Sequence, residues 1–132
     1  FSSSSDQRLK RNIEYLTDGL LETALSLRPA YYNKTFDGGE TLGPRQLGFI
    51  AQDVAEVLPA LVSKGEEYLA LEYSKFGVTA IGALQELKEE KDEEIAALRA
   101  ELDELKAANA AIQAQLATVL EALPGLNTAS AE

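Results

Sequence analysis

The apolar side chains between positions 95 and 123 recur at alternating steps of three and four residues, without a slip. Their average period of 3.5 residues is typical of helices that wind around each other in a left-handed coiled coil. No other feature of the chain constrains its fold so strongly. The predicted seam of this coiled coil consists of Ile95, Leu98, Leu102, Leu105, Asn109, Ile112, Leu116, Val119 and Leu123.

The seam leaves the number of helices open. With Ile95 at position a of the heptad, Asn109 is the one polar a residue, and a buried Asn costs stability but selects a register or a strand number. The pair Ile95 and Leu98 favours a dimer, whereas Leu116 at a favours a higher order. Dimer, trimer and tetramer are therefore all compatible with the heptads.

Charge and composition divide the chain near residue 84. Residues 85–132 hold 11 acidic and 4 basic side chains, a net charge of −7, and contain no aromatic residue. They are rich in Ala, Leu, Glu and Gln, which are strong helix formers. We predict one long helix that begins with Ser74 as its cap, runs to about Leu123 and ends at the stop signal Pro124-Gly125.

The first 84 residues contain every Tyr and Phe and carry mixed signals. The spacing of apolar residues predicts a helix of about 15 residues before Pro29. Further predictions are strands over 30–36 and 47–50, a turn at 37–39, an exposed loop or hairpin tip through Pro44, helical turns over 53–58, and a hairpin that pairs 61–63 with 68–71. The predicted fold class is α+β: a small mixed globular head of short strands and helices, followed by a long C-terminal helix that forms a coiled coil.

Composition excludes whole classes of function. The chain has 132 residues with 12 basic and 22 acidic side chains, a formal charge of −10, which argues against nucleic acid and against an anionic membrane surface as partners. It has no Cys and no His, so thiolate nucleophiles, the usual transition-metal ligands and the commonest general base are absent. We expect no metal and no cofactor. No apolar run reaches the roughly 18–20 residues that span a bilayer.

One segment offers a nucleophile beside a possible base, namely Ser5 and Lys10. In a chain without His, a lysine amine can take the proton of a serine hydroxyl if the lysine pKa falls far below its usual value of about 10.4. Burial or the cations Arg8 and Arg11 would favour that shift, and Asp6 would oppose it. Five residues apart, the two groups meet only if a turn intervenes or if the lysine belongs to another subunit. The residues alone favour a plainer interpretation, a Ser-rich linker whose last Ser and Asp cap a helix.

A resemblance changes that balance. The opening Ser5–Ile13, SDQRLKRNI, resembles the S-D-x-R-L-K-x-x-I start of the intramolecular chaperone auto-processing domain, also called the peptidase S74 or endosialidase chaperone domain. Later blocks agree with that family in order and spacing: Leu27-Arg28-Pro29 with Tyr31-Tyr32, Leu47–Val54 with Leu58-Pro59, and Tyr73-Ser74. The resemblance covers about residues 5 to 120. Each block is modest alone, and together they are quite specific.

Members of this family lie at the C-terminus of phage tail spikes and tail fibres, trimerise, bring the upstream chains into register and then cut themselves off. The resemblance therefore implies a homotrimer, with the upstream stalk of the same polypeptide as its client. It also implies that the domain acts in the cytoplasm of the host bacterium during virion assembly. It assigns the catalytic dyad of a self-cleaving serine endopeptidase to Ser5 and Lys10, acting once per chain.

The resemblance implies that the bond that is cut lies beside Ser5. Attack of the Ser5 hydroxyl on the preceding carbonyl is a five-membered N→O shift and cuts between Ser4 and Ser5. Attack on its own carbonyl needs a strained four-membered ring, so a cut between Ser5 and Asp6 implies another mechanism. Both junctions stay open at this point.

The resemblance also implies a division of the chain. Residues 1–9 are then a linker with the autocleavage segment, 10–73 the globular chaperone head, 74–123 the long helix and coiled coil, and 124–132 a disordered tail. Two other interpretations compete with it. One is a trimerisation or attachment module of a fibre that never cuts, and the other is a coiled-coil adaptor whose head binds another protein.

Overall fold

A computed structural model describes residues 4–35, 40–123 and 125. Contacts between residues divide the chain into two units, Phe1–Lys88 and Glu89–Glu132. In order, the elements are a 3-10 turn Gln7–Leu9, α1 Leu20–Ser26, β1 Ala30–Thr35, β2 Leu42–Gly48, α2 Ala51–Val57, a 3-10 turn Pro59–Leu61, β3 Val62–Lys64, β4 Leu69–Leu71 and α3 Tyr73–Ala122. The predicted α+β class, with a small strand-containing head and a long C-terminal helix, is confirmed.

The first hairpin pairs β1 with β2 in antiparallel register, from Ala30 opposite Gly48 to Thr35 opposite Leu42. The strand predicted from residue 30 is confirmed. The loop or hairpin tip predicted through Pro44 extends too far, because β2 already begins at Leu42. The register shifts between Asn33 and Thr35, opposite Pro44. A proline is tolerated in a strand at such an irregularity, since its missing N–H is not needed there. The turn predicted at residues 37–39 lies outside the described residues.

The second hairpin pairs β3 with β4, as the sequence predicts, with Val62 opposite Leu71 and Lys64 opposite Leu69. Helix α2 packs against this hairpin and buries Val54. Leu61, in the 3-10 turn before β3, is the other large apolar side chain that is buried in the described part of the chain. The core of the head is therefore small, and many of its apolar side chains stay in contact with water.

The helix predicted before Pro29 is much shorter than its apolar spacing suggests. Helix α1 has seven residues, Leu20–Ser26, and residues 11–19 are not helical. Gly19 starts the helix with a φ of +81°, in the left-handed region, and Asn12 lies there too with a φ of +53°. These two turns interrupt the backbone where the spacing of Ile13 and Leu16 would have continued it.

Helix α1 is held by the first turns of α3. The Glu86 carboxylate accepts hydrogen bonds from the amides of Leu20 at 2.8 Å and Leu21 at 3.0 Å, so it caps α1 from a distant part of the chain. At Gly82, a Cβ atom would overlap with the Leu20 side chain. A close approach at this glycine is thus made by a side chain of α1. Gly77, by contrast, has nothing within 4 Å of the position of a Cβ atom.

An aromatic cluster fixes the start of α3 to the first hairpin. Phe49 and Phe76 stack with ring centroids 4.9 Å apart, and Tyr73 stacks on Phe76 at 5.4 Å. The Tyr73 hydroxyl accepts a hydrogen bond of 2.9 Å from the Phe49 amide. A hydrogen bond with Tyr73 raises the pKa of Tyr32 above its ordinary range. Gly48 leaves room for both hydroxyls, because a Cβ atom there would overlap with the Tyr73 hydroxyl.

Helix α3 runs Tyr73–Ala122, within one residue of the predicted bounds at each end. The predicted cap, Ser74, lies inside the helix, which begins one residue earlier. Among the described residues, no helix is long and apolar enough to cross a membrane. The predicted helix stop at Pro124 lies outside the described residues. The predicted disordered tail, 124–132, also lies outside them except for Gly125.

Within Glu89–Glu132, the predicted seam follows one stripe of α3 that is apolar except at Asn109, and its last residue, Leu123, lies one residue beyond the helix. Its large side chains remain between 45% exposed, at Ile95, and 63% exposed, at Leu105, in the single chain. These side chains gain little burial energy in the single chain, because they remain about half exposed there. The residues with the heptad period therefore lie on a helix in the structure. The number of helices that associate through them stays a prediction.

Glu86→Ala is expected to lower the free energy of unfolding of the head by about 1 kcal/mol, because two amides at the start of α1 lose their acceptor. Thermal or urea unfolding followed by circular dichroism measures the change. Glu89→Ala, an exposed glutamate one turn further along the same helix, is the matched control. Equal stability of the two variants would show that the cap contributes nothing.

Candidate functional site

The segment predicted to carry the chemistry folds into a 3-10 turn. The Leu9 amide donates to the Asp6 carbonyl and the Lys10 amide donates to the Gln7 carbonyl, both at 3.0 Å. Asp6 is the N-cap of this turn, and its side chain accepts a hydrogen bond of 2.8 Å from the Arg8 amide. The capping role of Asp6 that the sequence suggests is therefore present, although it serves one short turn rather than a helix.

This turn brings the two predicted dyad residues together. The Lys10 amine donates a hydrogen bond of 2.6 Å to the Ser5 hydroxyl. A spacing of five residues separates two side chains on a continuous helix or strand, and here the reversal of the backbone at residues 7–9 removes that separation. The pair forms within one chain. Both side chains are exposed in that chain.

Asp6 is paired with a different cation. The Arg8 guanidinium donates to the Asp6 carboxylate through Nε at 3.0 Å and Nη2 at 2.7 Å. These hydrogen bonds from the Arg8 side chain, and then the one from its amide, hold the pKa of Asp6 below its ordinary range. The carboxylate that the sequence places between Ser5 and Lys10 thus faces Arg8.

Arg11 closes the other end of the turn. Its guanidinium donates to the carbonyls of Arg8 at 3.0 Å and Lys10 at 2.8 Å. The two arginines therefore act on the turn in different ways, Arg8 on a carboxylate and Arg11 on the backbone. The sequence identifies both as cations near the lysine, but their hydrogen-bond partners depend on backbone geometry that the sequence does not display.

The two candidate scissile bonds lie on either side of Ser5. Ser4 precedes the turn, is exposed and has no regular secondary structure, whereas Asp6 is fixed by its capping hydrogen bond. The Ser5 hydroxyl is therefore attached to a free backbone on one side and to an ordered one on the other. The segment as a whole is open to solvent, so either junction is accessible in the single chain.

Other candidate reactive side chains lie away from the turn that holds Ser5 and Lys10. Asp53 accepts from Arg28 Nη2 at 3.0 Å in an ion pair between α2 and the segment that precedes β1. A groove of about 720 Å³ is lined by Tyr32, Phe49, Gln52, Lys64, Tyr68 and Tyr73, among others, and by neither Ser5 nor Lys10. In the described ranges, no three carboxylates lie close enough together to hold a metal ion. The turn at residues 5–11 is thus the site that the geometry favours.

Comparison with known proteins finds a protein family that is similar to the part of the chain containing this turn. Residues 5–63 match the model of the peptidase S74 family, the chaperone of endosialidase. This region of the chain is therefore similar to the chaperone-of-endosialidase family. Its first matched residue is Ser5, and the match includes the turn, both dyad residues and the first hairpin.

Two phage proteins are similar over a longer stretch. The long tail fiber protein Gp37 of Enterobacteria phage M1 and that of Enterobacteria phage Ox2 are each 36% identical to this chain over 91 residues. The aligned stretch covers 65% of this chain and 36% of each relative. The chain thus corresponds to about a third of the length of those fibre proteins.

The other blocks that resemble the S74 family have structural roles in this fold. Arg28 and Asp53, from two different blocks, form the ion pair between α2 and the segment before β1. Phe49 and Tyr73, from two blocks, form the aromatic cluster at the start of α3. These blocks therefore build the head, whereas the opening block, Ser5–Ile13, forms the turn with the serine and the lysine.

The carboxyl of Asp6 is expected to titrate below its usual pKa of about 3.9. Because its folded pKa is lowered, its contribution to the turn is complete above the usual value and is lost as the pH falls through the lowered one. Carbon-13 NMR of the carboxyl, with the Arg8 amide as a second probe, measures the midpoint. Arg8→Ala is expected to raise that midpoint towards 3.9, and an unchanged midpoint would contradict the assigned pairing.

Proposed function

We propose that this chain is an intramolecular chaperone that trimerises, promotes folding and registration of an upstream fibre stalk, and then releases itself by autoproteolysis. The match of residues 5–63 to the chaperone-of-endosialidase family supports the chaperone role. Similarity to long tail fibre proteins supports a fibrous stalk as the client. The hydrogen bond of 2.6 Å between Lys10 and Ser5 is the observation that carries the proposed cleavage.

The proposed reaction is an acyl shift followed by hydrolysis. The Ser5 hydroxyl adds to the Ser4 carbonyl carbon while its proton passes to a neutral Lys10 amine. The bond from that carbon to the Ser5 nitrogen then breaks, and the nitrogen takes up the proton as it leaves. Water hydrolyses the resulting ester, which leaves a carboxylate on Ser4 and restores the Ser5 hydroxyl. This route cuts at Ser4–Ser5, and cleavage at Ser5–Asp6 remains the alternative with a different mechanism.

The lysine can act as a base only when its amine is neutral. The described chain leaves Lys10 exposed, and water favours the charged form of an amine. Burial of the turn by a neighbouring copy or by the upstream chain would favour the neutral form. Since the contact between hydroxyl and amine is already made in one chain, we propose that assembly activates the pair by excluding water from it.

The trimeric state is supported by what the single chain leaves uncovered. The seam on α3 stays about half exposed, and the head buries only two large apolar side chains in its described residues. Association of three helices at the seam would cover the stripe. Of the strand numbers that the heptads allow, three is the one that the resemblance to the family implies.

The order of events follows from chain physics. Registration of three long β-rich stalks is slow, because it needs contacts between residues far apart in sequence and in different chains. Helices that associate first raise the effective concentration of the chains attached to them. Removing the chaperone afterwards leaves the stalk folded with no route back, so its stability becomes kinetic. We place these steps in the host bacterial cytoplasm during virion assembly.

Exposure of the dyad favours one alternative. A module that trimerises a fibre but never cuts would have the same seam and the same turn, with the serine and lysine left in water as they are in the single chain. An adaptor whose head binds another protein is a further alternative and requires no trimer. Cleavage assays separate the first alternative from the proposal, and the oligomeric state separates the second.

Ser5→Ala and Lys10→Ala, each made with the upstream stalk attached, are expected to slow release of the domain by at least about 100-fold, because each removes one partner of the proton transfer. Denaturing gels and mass spectrometry of the products measure the rate and identify the cut bond. Ser26→Ala and Lys34→Ala are matched controls at exposed positions of the head. The same single band for wild type and all variants would refute self-cleavage and leave the non-cleaving module.

Sedimentation equilibrium is expected to give three times the chain mass of 14.2 kDa. Leu105→Asp, at position d, is expected to dissociate the assembly, because it would bury unpaired charges at the seam. Ala107→Asp adds the same charge at position f, on the outer face of the helix, and is expected to leave the mass unchanged. A monomer or dimer for the wild type would contradict the proposed trimer.

A further inference from the structure

A carboxylate close to Lys10 would oppose the proposed cleavage, because Lys10 must be neutral to accept a proton. A lysine amine that must be neutral is held in its charged form by an opposite charge within a few ångströms. Asp6 is the carboxylate at risk, because it is bonded directly to Ser5, whose hydroxyl lies 2.6 Å from the Lys10 amine.

The structure shows where that carboxylate is directed instead. Asp6 Oδ1 accepts from the Arg8 amide at 2.8 Å and from Arg8 Nε at 3.0 Å, and Oδ2 accepts from Arg8 Nη2 at 2.7 Å. Two parallel bonds from a guanidinium fix the plane of a carboxylate as well as its position. Among the described residues, no carboxylate lies within ion-pair distance of the Lys10 amine.

We propose that Arg8 is a positioning residue for self-cleavage, and that its guanidinium holds the Asp6 carboxylate away from Lys10 so that the amine serves Ser5. The inference rests on the cleavage proposed above and assigns to Arg8 a task distinct from binding the scissile bond. It explains why an aspartate is compatible with this position. Asp6 caps the turn that brings the dyad together, and Arg8 removes the electrostatic cost of having a carboxylate there.

The capping bond and the guanidinium pair can be separated by mutation. The Arg8 amide that donates to Asp6 is a backbone group, so it survives in Arg8→Ala, and only the guanidinium is lost. The Arg8 side chain is 88% exposed, so its removal opens no cavity. Of the other charged groups in this turn, Arg11 donates to the carbonyls of Arg8 and Lys10, which remain in the variant.

The first test is the dependence of the cleavage rate on pH, measured on the chain with its stalk attached. Arg8→Ala is expected to move the midpoint of the rising limb upwards by about half a unit to one unit, because a free Asp6 then pairs with the lysine. The double variant Asp6→Asn with Arg8→Ala is expected to return the midpoint to the wild-type value. If Arg8 only stabilised the turn, the midpoint of the double variant would stay as far from the wild-type value as that of Arg8→Ala alone.

The second test does not require cleavage. Carbon-13 NMR of the lysine side chains follows the pH at which the Lys10 amine loses its proton, with the exposed Lys34 as an internal reference. We expect this pH to be higher in Arg8→Ala than in the wild type. In the double variant it should return to the wild-type value. An unshifted midpoint in Arg8→Ala would overturn the inference even if the wild type cleaves. A shift without any cleavage would support the charge effect and refute the proposed protease.

Discussion

The first turns of α3 connect separate parts of the head. They contribute Tyr73 and Phe76 to the aromatic cluster and Glu86 to the cap of α1, and they bury Thr79 and Ala83. The hairpins and short helices have few buried side chains of their own, and contacts at Phe49 and at the start of α1 join them to this helix. Because the same helix continues into the heptads, the element that organises the head also carries the predicted site of association.

The site places reactive groups next to each other without placing them in a reactive environment. A six-residue segment closes on itself, and a capping aspartate and two arginines hold its shape. Nothing in that geometry requires a second copy of the chain. What a second copy can supply is the exclusion of water, which changes the charge state of an amine more than any single hydrogen bond in solvent. In the proposed function, forming the serine–lysine pair and activating it are thus separate steps.

How far the sequence predicts this structure depends on the range of the interaction involved. The long helix and the second hairpin follow from periodicity and turn residues, and both are within a residue or two of their predicted bounds. The helix before Pro29 was predicted too long, because apolar spacing does not register the left-handed turns at Asn12 and Gly19. Pro44 was placed in a loop or hairpin tip, because the irregularity that accepts it is a property of paired strands. Spacing also shows that Ser5 and Lys10 need a turn to meet, while the Asp6–Arg8 pair that shapes this turn is visible only in three dimensions.

The cap of α1 has a consequence for synthesis on the ribosome. The amide of Leu20 lies 66 residues before the glutamate that accepts its hydrogen bond. At about 5–20 residues per second, the start of α1 waits roughly 3 to 13 seconds for its partner to be made. During that interval the loop that leads from the serine-lysine turn to α1 has no anchor at its far end. The start of α1 therefore gains its cap only after translation has passed Glu86, although α1 itself is encoded much earlier in the chain.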